Sequence, residues 1–157
     1  MSGQFNVAEE LHTVSIIAPV DINGGAVESD YFNVKSAASC QIVLTLGVTG
    51  AATTFTVYES DDASGSNETA IAFAYYAETT AAGDTLGART AATSSGIATS
   101  TNDGLIYVID VDPRDLTDGY PYLVLKLSDP SAATLASAVA LLGNIRHAGS
   151  SSTTAIT

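Results

Sequence analysis

Cys40-Gln41-Ile42-Val43-Leu44-Thr45-Leu46 sets Cys40, Ile42, Leu44 and Leu46 on one parity and Gln41, Val43 and Thr45 on the other. Successive side chains of a strand point to opposite faces, so this spacing lays one apolar row against a core. The segment reads as a strand, and Cys40 within it as a small buried hydrophobe.

Outward from this run, Thr13 to Ile17, Tyr31 to Lys35, Thr53 to Tyr58, Thr69 to Tyr76, Leu105 to Val111, Tyr122 to Leu127 and Ser137 to Ile145 read the same way. In the fourth of these, Ile71, Phe73 and Tyr75 face one side while Ala70, Ala72 and Ala74 face the other. Turn chemistry separates the runs at Asn23-Gly24-Gly25, Gly47 to Gly50, Asp62 to Asn67 and Asn102-Asp103-Gly104. Many short strands with Gly-bearing turns argue an all-β sandwich or barrel, and the expected fold is a single-domain antiparallel β-sandwich of jelly-roll-like type. Asp112-Pro113-Arg114-Asp115-Leu116 places an N-cap before a proline, which predicts one helical turn. Thr134 to Leu142 fits both periods; alternation of small and large residues from Ser137 to Leu141 favours a strand. Ala77 to Ser100 reads as a long loop, functional or disordered, with Leu86 and Ile97 as its apolar anchors. The expected organisation is an N-terminal arm over 1–12, a sandwich domain over 13–147 and a flexible tail over 148–157.

The chain has 157 residues, about one domain's worth, 46% of them hydrophobic and 14% charged. Seventeen acidic side chains stand against five basic ones, a net charge of −12. Five basic residues cannot supply the stripe that neutralises nucleic-acid phosphates, and one-signed acidity disfavours anionic lipid. Neither nucleic acid nor membrane is expected as a partner. The first eleven residues carry no basic-then-apolar leader pattern, and the longest apolar stretch, Ala138 to Leu142, is far short of a membrane span. Synthesis in a cytoplasm is the expectation.

Two histidines, His12 and His147, and one cysteine cannot build a zinc finger, a haem pair or an iron–sulfur site. Both histidines lie in or beside the ends, where a pre-organised catalytic base is not expected, and no nucleophile elbow appears. Paired carboxylates for glycoside chemistry are numerically available, but there is no Trp for a sugar platform. Gly83 to Gly87 lacks the lysine and the strand–helix context of a phosphate cradle. Asp110, Asp112, Asp115 and Asp118 crowd one region, and hard cations take oxygen ligands from such groups, so calcium is a candidate. Their spacing lacks the central Gly and terminal Glu of an EF-hand loop, and a solvated, turn-rich edge whose acids cap a helical turn and a β-turn is the favoured reading. No cofactor is expected, and no enzymatic activity.

Ala18 to Gly25, Leu46 to Ala51, Thr53 to Asp62, Ala81 to Thr90 and Ser100 to Gly104 together resemble the small virion structural proteins of tailed bacteriophages. The resemblance spans about Val14 to His147 and rests on turns, strand patterning and one long loop, not on a catalytic signature. It implies a capsid decoration (cement) or minor capsid role on the exterior of the virion. The implied partners are the major capsid protein and further copies of the chain, as a homotrimer. On that reading the arm and the long loop make the contacts, with Phe5, Val7, Leu11, Leu86, Arg89 and Ile97 as interface residues. A tail or head–tail component, a carbohydrate- or receptor-binding module and a calcium-stabilised domain are the competing readings.

Overall fold

The computed structural model describes residues 5–78, 80, 84–143 and 155–156. Two antiparallel sheets face each other. Sheet one runs β1 (Leu11–Asp21), β12 (Thr134–Gly143), β4 (Ser39–Thr49), β10 (Ile106–Val111), β7 (Phe73–Ala77) and β8 (Thr90–Ala92), in that order. Sheet two runs β2 (Val27–Glu28), β11 (Tyr122–Leu127), β5 (Thr54–Ser60) and β6 (Glu68–Ile71). There β3 (Phe32–Asn33) also pairs with β11, and β9 (Ile97–Ala98) with β5.

The pairings nest. β1 holds β12 in sheet one, β2 and β3 hold β11 in sheet two, β4 holds β10 in sheet one, and β5 holds β6 in sheet two. A long hairpin rolled around a core gives this alternation, and it is the jelly-roll arrangement. The tip of the hairpin is the turn between β5 and β6. Asp62 Oδ1 there accepts the backbone N–H of Ser64 at 2.9 Å and of Ser66 at 3.2 Å. The N–H of Ser66, then the Ser64 hydroxyl and N–H, lower the Asp62 carboxyl to a pKa of about 2.

Cys40, Ile42, Leu44 and Leu46 all point inward from β4 and are buried, as the alternation requires. Leu123, Leu125 and Leu127 of β11 and Phe55 and Val57 of β5 meet them from the other sheet. Each such side chain removed from water contributes about 1.5–3 kcal/mol. Phe55 is the hub of an aromatic group, with ring centroids 5.3 Å from Tyr107, 5.8 Å from Phe73 and 6.1 Å from Tyr75. Thr134–Gly143 is a strand because it lies between β1 and β4, where Ala136, Ala138 and Ala140 fit inward beside larger neighbours. The helical turn forms at Pro113–Asp115, and the Asp112 carboxylate accepts the Arg114 N–H at 3.0 Å.

The run Thr69 to Tyr76 is not one strand. It breaks at Ala72, with β6 in sheet two and β7 in sheet one. Alternation survives because a chain turning the corner of a sandwich keeps the same side chains inward. The long segment Ala77 to Ser100 holds β8, β9 and a bridge between Glu78 and Leu86, so its described part belongs to the sandwich. A short helix, α1 (Val7–Glu10), precedes β1, and β1 already begins at Leu11, inside the expected arm. Of the expected tail, Ala155 and Ile156 are placed beside β3, with Ala155 in the core; His147 and residues 148–154 lie outside the described residues. Among the described residues no helix is long and apolar enough to cross a membrane.

Candidate functional site

The two outer faces of the sandwich differ, and the difference locates the candidate site. On sheet two, Lys126 forms ion pairs with Glu28 at 3.0 Å and with Glu68, and lies 4.6 Å over the Tyr58 ring. Tyr31 donates its hydroxyl to Glu68 Oε2 at 2.7 Å and packs against Gly65 of the hairpin tip. Burial, then the Glu68 hydrogen bond and charge, raise the Tyr31 hydroxyl to a pKa of about 12. Burial alone would raise the Glu68 carboxyl; hydrogen bonds from Lys126 and Tyr31 outweigh it and hold the group below the usual carboxylate range. This aromatic and ionic layer covers Val124, which is fully buried although it has the same parity as Lys126 and Tyr122.

Sheet one carries a different outer surface. The ladder aligns Ser15, Val139, Val43, Val108 and Tyr76 in one row across five strands. The adjoining rows bring Leu141, Gln41, Asp110 and Ala74 on one side and Ser137, Thr45 and Ile106 on the other. Val139, Val43, Val108, Tyr76, Leu141 and Ile106 are half-buried. Asp110 is the one charged side chain in these rows, and Arg89 reaches it with Nε at 3.2 Å and a terminal nitrogen at 3.1 Å. Toward the ends of β1, β4 and β12 the surface continues into Val20, Val48 and Leu135, of which Val48 is 59% and Leu135 46% exposed. The band thus mixes half-buried apolar side chains with exposed Ser15, Gln41 and Thr45, and its one charged side chain, Asp110, is paired with Arg89.

The expected contact residues divide around this band. Arg89 belongs to it through Asp110. Phe5 (63% exposed) and Val7 project from the arm and α1, and Leu86 is exposed beside the Glu78 bridge. Leu11 is half-buried at the start of β1, opposite Gly143. Ile97 is half-buried, packs on one side against the chain's own core and pairs with Phe55. The three valines of the band were not singled out by sequence, although β10 (IYVIDV) and β12 (TLASAVALLG) are apolar on both parities. That pattern marks strands covered on both faces.

The aspartates do not converge. Asp110 lies on the outer face with Arg89, while Asp112 caps the helical turn and pairs with Arg114 at 2.6 Å. The Arg114 side chain, then its backbone N–H, lower the Asp112 carboxyl to a pKa of about 2. Among the described residues no group of three or more His, Cys, Asp or Glu is arranged to hold a metal ion. Asp118 instead lines a groove of about 370 Å³ with Lys35, Asp61, Arg114, Tyr120 and Pro121. Thr117, which also lines it, donates its N–H at 2.8 Å and its hydroxyl to the buried Glu59 carboxylate. Cys40 is buried within β4, and burial, then the Asp110 charge, push its thiol up to about 12, away from thiolate chemistry. His12 stands in β1 opposite Leu142. The chain matches no protein-family model and no curated protein sequence.

Proposed function

We propose that this chain is a non-enzymatic virion structural protein that decorates the outer surface of a capsid shell, with the major capsid protein as its partner and a homotrimer as its assembled form. The row of half-buried Val43, Val108, Val139 and Tyr76, continued by exposed Val48 and Leu135 and with its one acid paired, carries this reading, because apolar side chains left open on an outer sheet face mark interaction surfaces. Two further features support it. The jelly roll is a frequent architecture of viral capsid and lectin domains. The arm adds exposed Phe5 and Val7 ahead of the first strand.

Locating the polypeptide in intact particles by cryo-electron microscopy tests the role and separates a head position from a tail position. Removing residues 1–10 leaves β1 whole; loss of the protein from the shell is the expected result, and full occupancy overturns the arm's part in binding. The groove beside Tyr120 carries a second reading, recognition of a glycan by an aromatic ring flanked by Lys35 and Asp118. Glycan-array binding that Tyr120→Ala removes would select it.

A further inference from the structure

The turn between β1 and β2 carries the chain's one Asn–Gly step, Asn23-Gly24. Asn23, Gly24 and Gly25 are all exposed. Gly24 has φ +94°, and a Cβ built on it meets nothing within 4 Å, so the turn stands clear of the rest of the fold. Among the described residues no hydrogen bond holds the Asn23 side chain. Two carboxylates fix the backbone around it. Asp21 Oδ1 accepts the N–H of Asn23 at 3.1 Å and of Thr134 at 3.0 Å. Asp129 Oδ1 accepts the N–H of Gly24 at 3.3 Å and of Ser131 at 2.7 Å. The turn is thereby clamped to the loop between β11 and β12, and its neighbour Ile22 is buried in the core.

We infer that Asn23-Gly24 is a self-modification site, at which the chain converts its own asparagine to aspartate and isoaspartate and so loosens this clamp. The Gly24 nitrogen attacks Cγ of Asn23, its proton passing to Asp129 and on to the departing amide nitrogen. The Cγ–Nδ2 bond breaks and ammonia leaves. Water then opens the five-membered succinimide at either carbonyl. Glycine permits the ring because no side chain on the attacking residue crowds it. Opening at the backbone carbonyl routes the main chain through the former side chain and adds one methylene before Gly24. The Gly24 N–H is then displaced from Asp129, and the new carboxylate joins Asp21 and Asp129 in the turn as a third like charge.

The other candidate steps are protected. At Asp103-Gly104 the Gly104 N–H is donated to the Gly47 carbonyl at 2.9 Å, and the Asp103 carboxylate accepts the Thr49 N–H at 2.7 Å. Both reacting groups are engaged away from each other. Asp118-Gly119 offers a carboxylate, whose negative charge repels a nucleophile. Every other asparagine precedes a residue whose side chain crowds the attacking nitrogen.

The full chain, folded and incubated in mildly alkaline buffer, tests the site. Peptide mapping by mass spectrometry, with isoaspartyl methyltransferase labelling, should place conversion at position 23 at least tenfold above every other asparagine and both Asp–Gly steps. Gly24→Ala should slow it at least tenfold. Asp129→Asn keeps an acceptor for Ser131 but not the base, and should slow it severalfold. The isolated isoaspartyl form should melt several degrees below the parent. Asn23→Asp, with the charge but an unlengthened backbone, should melt above the isoaspartyl form. Absence of conversion at Asn23 in the folded chain, or an equal rate in Gly24→Ala, overturns the site. An unchanged rate in Asp129→Asn overturns the proton transfer, and an isoaspartyl form that melts with the parent overturns the loosening.

Discussion

Tyr31 and Glu68 are 37 positions apart and share a 2.7 Å hydrogen bond across the outer face of sheet two, with Lys126 on the other carboxylate oxygen. The pair ties the segment entering β3 to the strand leaving the hairpin tip. Tyr31→Phe removes one hydrogen bond to a charged acceptor and should cost about 1.5–3 kcal/mol in chemical denaturation. A loss below a few tenths of a kcal/mol would mean that the pair contributes nothing net.

The same pair sets a pH signature. Folding raises the Tyr31 pKa to about 12, so its contribution is complete below the unfolded value near 10 and is lost as pH rises toward 12. Folding lowers the Glu68 pKa, so that contribution is present above the unfolded value of about 4.3 and is lost as pH falls through the folded value. Melting temperature against pH should fall more steeply between 10 and 12 in the parent than in Tyr31→Phe. Parallel alkaline limbs would contradict the assignment.

Gly65 and Gly104 separate strain from collision. Both have positive φ, +69° and +71°, but a Cβ at Gly65 would lie 2.7 Å from Tyr31 Cζ, whereas at Gly104 it meets nothing within 4 Å. Gly104→Ala should cost about 1 kcal/mol from the left-handed backbone alone. Gly65→Ala should cost clearly more, and Tyr31→Ala should relieve the excess. Equal costs for the two glycines would show that Tyr31 does not sit over the turn.

Glu59 holds the segment after the helical turn through both hydrogen bonds to Thr117. Glu59→Ala removes both hydrogen bonds that tie the exposed Thr117 to the buried carboxylate and should cost about 1–3 kcal/mol, with hydrogen exchange accelerated through residues 112–121. Glu59→Gln keeps an acceptor and should lose less. Uniform exchange in all three proteins would contradict the anchoring role.

Asp110 and Asp112 are each matched by an arginine, and among the described residues no three acids, histidines or cysteines are arranged to hold a metal ion, so a chelator should leave the melting temperature unchanged within about 1 °C. Arg89→Ala should cost less than about 1 kcal/mol, since exposed pairs are worth little. A fall of several degrees with chelator would restore the calcium reading.

What the sequence revealed and concealed follows from these elements. Cys40 to Leu46 disclosed its own conformation and facing because a central strand must bury one parity. The same alternation in Thr69 to Tyr76 correctly turned Phe73 and Tyr75 inward yet hid the change of sheet at Ala72, since facing carries no information about the neighbouring strand. β8 and β9 are three and two residues long and Ile156 makes a single bridge with Phe32, all too short for any period to register. Asp112 announced its cap through the proline that follows, whereas the opposition of Arg89 to Asp110 arises only from the pairing of β7 with β8 and β10. The band on sheet one was half legible: its valines are visible as apolar residues on the outward parity, but their alignment into one row depends on the register of four strand pairs.

The most direct test of the account is occupancy of shells by Val43→Glu, with Thr56→Glu on the opposite sheet as control. Val43 stands mid-row between Val108 and Val139 and is half-buried, so the substitution should leave the melting temperature within a few degrees of the parent. The proposed capsid role predicts at least a tenfold loss of Val43→Glu from the shells that bind the parent protein, quantified by cryo-electron microscopy, with Thr56→Glu bound as the parent is. Full occupancy by a folded Val43→Glu protein would contradict it.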